Sequence, residues 1–414
     1  MEFKHCPVTF NFLSSEFVFK NELFESINQL SENDNDDEIN IAEVDSESYG
    51  ITFNISRVGD SYVINGDYAQ NTYLGDKFSV FLDNIKEELR FIANYKFDNI
   101  VCCLSEPQLG IYLDERVHDK DTAYSATGIF ECSGDYSVDE LKDTIHALIE
   151  KHPILKGRVL DTGYLPLLIC DSYPEISITN VDDYSTLTRP FDLGKSLARF
   201  FIVDNKYGMF IVYDMHHIIS DATSRVIINR DLGLALSGEL AGKVDLGFVY
   251  ASRDSFDSQF KPDYDAAYGF FREMFADIDE VSSLLDDVDG CAGSVSLPIR
   301  GVREDILSFV HDKGITVSSF LNAVFAYTYS RFIGGNKVYY TFTVNGRHED
   351  YSHDALGMFV RTIPLIVDCK DSSVDDYVNH VSDLVLDSMS NSVYPFRLLA
   401  SDFGLSNSNT FEYN

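Results

Sequence analysis

Residues 211–224 read IVYDMHHIISDATS, and they limit what this chain can fold into more than any other stretch. Ile211 to Met215 favour extended structure and are apolar apart from Asp214, the pattern of a buried strand. That strand runs into His216 and His217; two isoleucines later come Ser220, Asp221, Ala222 and Thr223. A strand that ends by presenting an imidazole needs a sheet buried deeply enough to fix it. Histidine titrates nearer neutrality than any other side chain, so one of this pair suits proton transfer. An Asp four residues after the second His is placed to buttress the loop or pair with a distant base. Strand-end packing or half of a metal site would serve to explain a lone His. The order His-His-x-x-x-Asp with a small residue next is more restrictive.

The chain has 414 residues, enough for two or three packed units, and 45% apolar content supplies a well-filled core. Its 32 basic and 67 acidic residues give a formal charge of −35. Such a surface disfavours nucleic acid and anionic membrane as partners. No apolar run reaches the roughly 20 residues of a membrane span, and MEFKHCPVTF holds no signal-peptide apolar stretch. Seven irregularly spaced cysteines argue against a disulfide framework and for a reducing, cytoplasmic setting. Cys102-Cys103 lacks metal or redox spacing, and the acidic segment 31–38 lacks the Gly and terminal Glu of a calcium loop, so no metal is expected.

Several elements follow from periodicity. Val8–Leu13 reads as a strand, and Ile51–Ser56 with Tyr62–Asp67 as a hairpin about Val58-Gly59-Asp60. Phe78, Phe81, Leu82, Ile85, Leu89 and Ile92 share one helix face. Ser137-Val-Asp-Glu140 is a capping box that opens a helix carrying Leu141, Ile145, Leu148 and Ile149. Strands are expected at Ala198–Val203 and Met209–Asp214, the second delivering the His pair. The next helix is expected to start at Thr223 or Ser224, either a good N-cap. Residues 280–300, rich in Asp and Gly, read as a crossing between two lobes. Beyond them come a helix over Glu304–His311, a turn at Gly314, a long helix from near Ser318 and a strand at Lys337–Val344.

His216–Ala222 resembles the HHxxxDG motif of condensation domains of nonribosomal peptide synthetases, members of the chloramphenicol-acetyltransferase-like acyltransferases; Ala222 stands for the usual Gly. LSEPQ (104–108) resembles the family's opening LSxxQ, and KHPILKGRV (151–159) resembles RHxxLRTxF, with Lys156 at an Arg position. Arg189-Pro-Phe-Asp-Leu193 resembles the PFDL turn, and Asn345-Gly346-Arg347 the NGR segment. Gly357–Leu365 resembles GxFxNxxPL, with Arg361 replacing a common Asn, and Tyr394-Pro-Phe396 the late PF turn. The resemblance runs from 104 to 414 with the motifs in the family's order.

It implies an α/β fold of two lobes, each of mixed sheet and helices, in a V around an active-site tunnel. Residues 99–279 would form the first lobe and 280–414 a truncated second one. Residues 1–98 resemble the C-terminal portion of a preceding condensation or epimerisation-type domain. Thr9-Phe10-Asn11-Phe12 and Thr410-Phe411-Glu412-Tyr413 look like one strand in two copies. Two readings follow: the chain is a segment cut between two such domains, or residues 1–98 complete the fold, as a permuted tail in cis or a swapped segment in trans.

The implied reaction is peptide-bond formation between a donor and an acceptor thioester. Both are held on phosphopantetheine arms of carrier proteins, with no bound cofactor. His217 is then the functional imidazole, either accepting the ammonium proton or hydrogen-bonding the amine and the tetrahedral intermediate. His216 and Asp221 are structural, the latter expected to pair with Lys156 or Arg158. Arg347 organises the second lobe, and Asn345 with Gly346 forms a strand-end turn. Two alternatives share the His motif: an epimerisation domain, for which Glu349 would be the second acid or base, and a degenerate domain that only docks carriers.

Self-completion has a direct check. Removing residues 1–98 is expected to leave a protein that unfolds without cooperativity or aggregates, as followed by thermal melting and sedimentation. A soluble, monomeric, cooperative remainder would refute it.

Overall fold

The structure is a computed structural model. It describes residues 99–117, 122–163, 165–276, 301–370 and 372–405, with strands at 8–13, 51–58, 61–68 and 410–411 and the single positions 80, 83, 295 and 296. The chain divides into two compact units, residues 1–97 and 98–414.

In the first unit, β1 (Val8–Leu13) lies parallel to β2 (Ile51–Val58), Val8 opposite Ile51. Strand β2 is antiparallel to β3 (Ser61–Tyr68), Val58 opposite Ser61. Strand β1 and the hairpin are those expected from alternation. The acidic segment 31–38 and most of the amphipathic stretch 78–92 lie outside the described residues.

The second unit holds two apolar cores. The first is built on a four-stranded sheet in the order β5 (Ser125–Glu131), β10 (Gly208–His216), β9 (Ala198–Asn205), β8 (Glu175–Thr179). A smaller sheet, β4 (Val101–Cys103), β7 (Leu167–Cys170), β6 (Gly157–Leu160), lies within the same lobe. The sequence dictates why β10 is central. Ile211, Tyr213 and Met215 alternate onto one face and pack, fully buried, with Leu141, Ile145, Leu148 and Ile149 of helix α2 (Val138–Lys151). Val212 on the opposite face meets Phe201 and Val203. Covering both faces explains the near-continuous apolar run. The single polar intruder, Asp214, sits opposite Arg199 in the antiparallel register and pairs with it at 3.0 Å, both side chains buried. Helix α2 opens with the expected capping box, Ser137 and Glu140 bonding reciprocally.

The second core packs Val338, Tyr340 and Phe342 of β11 (Lys337–Val344) with Ile363, Leu365 and Val367 of β12 (Arg361–Asp368). Strand β13 (Thr410–Phe411) adds to β11 in parallel. Two seventeen-residue helices, Val317–Ile333 and Val374–Ser390, contribute Ala323, Ala326, Val378, Val381 and Val385. The first starts one residue ahead of Ser318, capped by Thr316. Phe271, from the helix Pro262–Met274, and the adjacent Phe275 also belong to this core. That helix therefore serves the second lobe, ahead of the crossing expected at 280–300; most of that crossing lies outside the described residues.

Candidate functional site

Strand β10 ends at His216, and the chain then makes one tight 3-10 turn, His217–Ile219. Four contacts fix this turn. His216 N–H donates to Leu197 O at 2.9 Å and His217 N–H to Tyr124 O at 2.8 Å. Ser220 Oγ donates back to His216 O at 3.1 Å. Gln108 Nε2, from helix α1 (Glu106–Val117), donates to Ile218 O at 2.8 Å. Gln108 is itself held, its Oε1 accepting from the Ser105 amide and hydroxyl at 2.9 and 3.1 Å. The LSEPQ segment thus steadies the His turn across 110 residues of sequence. Its resemblance to a helix opening does not expose that role.

The two histidines differ in what they can do. His217 is half-buried. Its Nδ1 lies 3.2 Å from Ser220 O. A carbonyl oxygen only accepts, so Nδ1 carries the hydrogen, and in the neutral ring the lone pair is on Nε2. His216 is buried and its Nδ1 accepts the Ile218 amide at 3.1 Å. The aromatic rings beside it are Tyr124 at 5.8 Å and Phe191 at 5.7 Å. Burial first, then the neighbouring His217 and Arg199, push its pKa down to about 3. The carboxylate of Glu115, 3.7 Å from His216 Nε2, is too far to reverse this. His216 is a neutral packing residue, while His217 is half-buried with its ring held by Ser220 O through Nδ1 alone.

Asp221 caps helix α3 (Ala222–Leu236), accepting from Ser224 N at 2.8 Å. The cap therefore lies ahead of Thr223 and Ser224, the two residues expected to supply it. Asp221 adopts the extended cap conformation, and Ser224 completes the box as its partner. Ala222 is the first helical residue and has no positive φ, so the missing Gly introduces no backbone strain.

The partner of Asp221 is also corrected. Lys156 reaches Glu150 at 3.3 Å and Arg158 holds Asp171 at 2.5 and 2.7 Å, both within the first lobe. The cation on Asp221 is Arg347 of the second lobe, whose Nη2 lies 2.8 and 2.9 Å from the two carboxylate oxygens. Lys156 and Arg158 lie where the 3-10 turn Pro153–Lys156 runs into β6, beside local acids, whereas Arg347 projects from the strand-end turn after β11. Its Nη1 donates to Ser352 O and Ala355 O, and Phe359 stacks on the guanidinium at 4.2 Å. Asn345 Oδ1 accepts the Arg347 amide at 3.3 Å, closing that turn. Gly346 there has φ +62°, and a Cβ would sit 2.0 Å from Phe359 O, so only glycine fits. Ser224 Oγ lies 3.1 and 3.2 Å from Gly357 O and N, tying α3 to the same segment. Glu349 is exposed and supplies no inward carboxylate.

A second buried charge network has no counterpart among the sequence expectations. His152, fully buried, bonds Asp245 through Nδ1 and Asp231 through Nε2, each at 2.8 Å. Asp231 also binds Lys151 and Arg230 at 2.8 Å, and Arg230 reaches Asp354 of the second lobe at 2.6 Å. Asp245 Oδ2 accepts the Leu356 amide at 2.8 Å. Burial opposes charge on His152, but the two carboxylates prevail and its pKa is raised above 6.5. The sequence signal is faint: a His and two Asp, 79 and 93 residues apart. Among the described residues no group of three or more His, Cys, Asp or Glu is arranged to hold a metal.

Both networks can be probed by stability. Arg347→Ala strands a buried carboxylate and is expected to lower stability by about 3–5 kcal/mol, with Arg347→Lys intermediate because one ammonium cannot serve Asp221 and the Ser352 and Ala355 carbonyls together; urea unfolding measures both. Because the folded pKa of His152 is raised, its stabilisation is complete below pH 6.5 and fades as pH rises through the folded value. The melting-temperature gap between wild type and His152→Gln should therefore narrow on going from pH 6 towards alkaline pH.

Comparison with known proteins agrees with this geometry. A family model described as "Condensation domain" matches residues 99–412. Surfactin synthase subunit 1 of Bacillus subtilis is 23% identical over 327 residues, spanning 73% of this chain and 9% of that protein. Bacitracin synthase 3 of Bacillus licheniformis is 21% identical over 351 residues, 76% of this chain and 5% of the other. The chain thus spans a small part of these curated relatives. Among solved structures, holo-AB3403, a four-domain nonribosomal peptide synthetase, aligns with TM-score 0.66 at 20% identity, over 77% of this chain and 27% of that one. The first condensation domain of the calcium-dependent antibiotic synthetase, in complex with a substrate analogue, aligns with TM-score 0.63 at 17% identity, over 76% and 80% of the two chains. The two cores and mixed sheets described above are therefore the fold of condensation domains.

Proposed function

The chain belongs to the condensation-domain family, and from that premise we propose that it forms a peptide bond between two thioesters carried by partner carrier proteins. The donor carbonyl arrives already activated on a phosphopantetheine arm, so the step needs neither ATP nor a metal. The acceptor amine attacks the donor carbonyl carbon. A C–N bond forms, the C–S bond breaks, and the amine's proton ends on the released thiol.

The observation that carries this reading is the state of His217. Its Nδ1–H is held by Ser220 O, so the free lone pair on Nε2 is the one available to a substrate. That nitrogen accepts the amine N–H, raising the amine's nucleophilicity, and hands the proton on as the thiolate departs. Nothing about Ser220 suits it as an alternative nucleophile: it is buried and its hydroxyl donates to His216 O. Holding two arms in a cleft between the lobes supplies the remaining rate through orientation, worth roughly 7–11 kcal/mol when geometry is good. Carrier proteins and neighbouring synthetase domains are the partners, and the irregularly spaced cysteines fit the cytoplasm. No helix among the described residues is long and apolar enough to cross a membrane.

Donor and acceptor carriers loaded with aminoacyl groups provide the test, with dipeptide read by mass spectrometry. His217→Ala is expected to lower the rate by about 10²–10⁴, with folding unchanged by circular dichroism. Undiminished product from the variant would remove His217 from the reaction. Deuterium wash-in at Cα without dipeptide would point to epimerisation, and carrier binding without turnover to docking alone.

A further inference from the structure

Arg361 opens β12 directly opposite Val344, the residue that precedes the Asn345-Gly346-Arg347 turn. It is half-buried, and burial lowers its pKa despite the nearby Tyr351. Yet its hydrogen bonds are weak ones: Nη1 donates to Ser392 O at 3.2 Å and contacts Ser392 Oγ at 3.5 Å. Among the described residues no carboxylate pairs with it. An interior guanidinium without a counter-charge is unfavourable unless something supplies one.

Its surroundings locate it on the seam between the lobes. Tyr351, near Arg361, donates across to Asp254 of the first lobe at 2.6 Å. Arg397, just beyond the Ser392 turn, reaches Glu106 of the first lobe at 3.2 Å. Phe359, two residues before Arg361, donates its amide to Asp221 at 3.4 Å, behind the His217 turn. The Cγ of Arg361 lies 3.5 Å from where a Gly346 Cβ would be, beside the turn that carries Arg347.

We propose that Arg361 is an anion-binding residue of the interlobe cleft, recognising a carboxylate or phosphate on the bound acyl-pantetheine substrate. This rests on the condensation reading and deepens it. A guanidinium fork is matched to either planar carboxylate or phosphate oxygens. Two sources offer that chemistry: an acidic side chain on the aminoacyl group, or the phosphate of the arm itself.

Calorimetric binding to the whole chain separates them without requiring turnover. The probes are pantetheine amides of aspartate and asparagine, with NH in place of the thioester sulfur, and 4′-phosphopantetheine against pantetheine. Wild type is expected to bind one anionic probe about tenfold tighter than its neutral twin. Arg361→Asn should erase that difference and Arg361→Lys retain part of it, both melting like wild type. Preference for the aspartyl amide assigns the side-chain carboxylate; preference for phosphopantetheine assigns the arm. Equal affinity within both pairs, a preference that survives Arg361→Asn, or no measurable binding of either anionic probe overturns the proposal. Dipeptide formed from neutral substrates alongside such a result would leave the condensation reading standing and reject only this one.

Discussion

The ion pair between Asp221 and Arg347 is the contact on which the site's geometry depends. Both side chains are buried, 2% and 3% exposed, so neither charge is tolerable without the other. Asp221 does two jobs with one carboxylate: it caps the helix that follows the His turn and receives the second lobe's guanidinium. Pulling the lobes apart would strand the charge and weaken the cap together. Ser224 repeats the arrangement on the same helix turn, completing the cap box and touching Gly357. The His loop is therefore set by the closure of two lobes and not by its own strand alone.

Three histidines in one lobe show how environment decides chemistry. His216 accepts an amide hydrogen in an apolar pocket and stays neutral. His152, equally buried, lies between two carboxylates that favour its charged form. His217 donates to a single carbonyl and leaves its other nitrogen open. Burial does not separate His216 from His152; the acceptor or donor at each ring nitrogen does.

Much of the frame is legible in the sequence because it is local. Strands Val8–Leu13 and Lys337–Val344 announce themselves by composition and alternation, and the Ser137–Glu140 box by its spacing. The family motifs then imply the lobes and single out His217. What escapes is long-range. Asp221 and Arg347 are 126 residues apart, and no spacing rule connects them, so the expectation falls wrongly on Lys156 and Arg158. The cap is expected at Thr223 or Ser224 because either residue type caps well; a carboxylate serving as both cap and ion-pair partner leaves no mark in sequence. The role of Gln108 and the His152 network escape for the same reason, their partners being fixed by packing and not by pattern.

The charge balance sharpens the meaning of Arg361. With 67 acids against 32 bases, this chain has no shortage of carboxylates to place beside a buried cation. It does so for both fully buried arginines among the described residues: Arg199 takes Asp214 and Arg347 takes Asp221. Arg361, on the seam that the Arg347–Asp221 pair helps to close, is left with a carbonyl and a hydroxyl. In so acidic a protein, an inward guanidinium denied an internal acid is best understood as reserved for an external one. A carboxylate built into the chain at that point would neutralise the guanidinium that the proposed substrate anion needs.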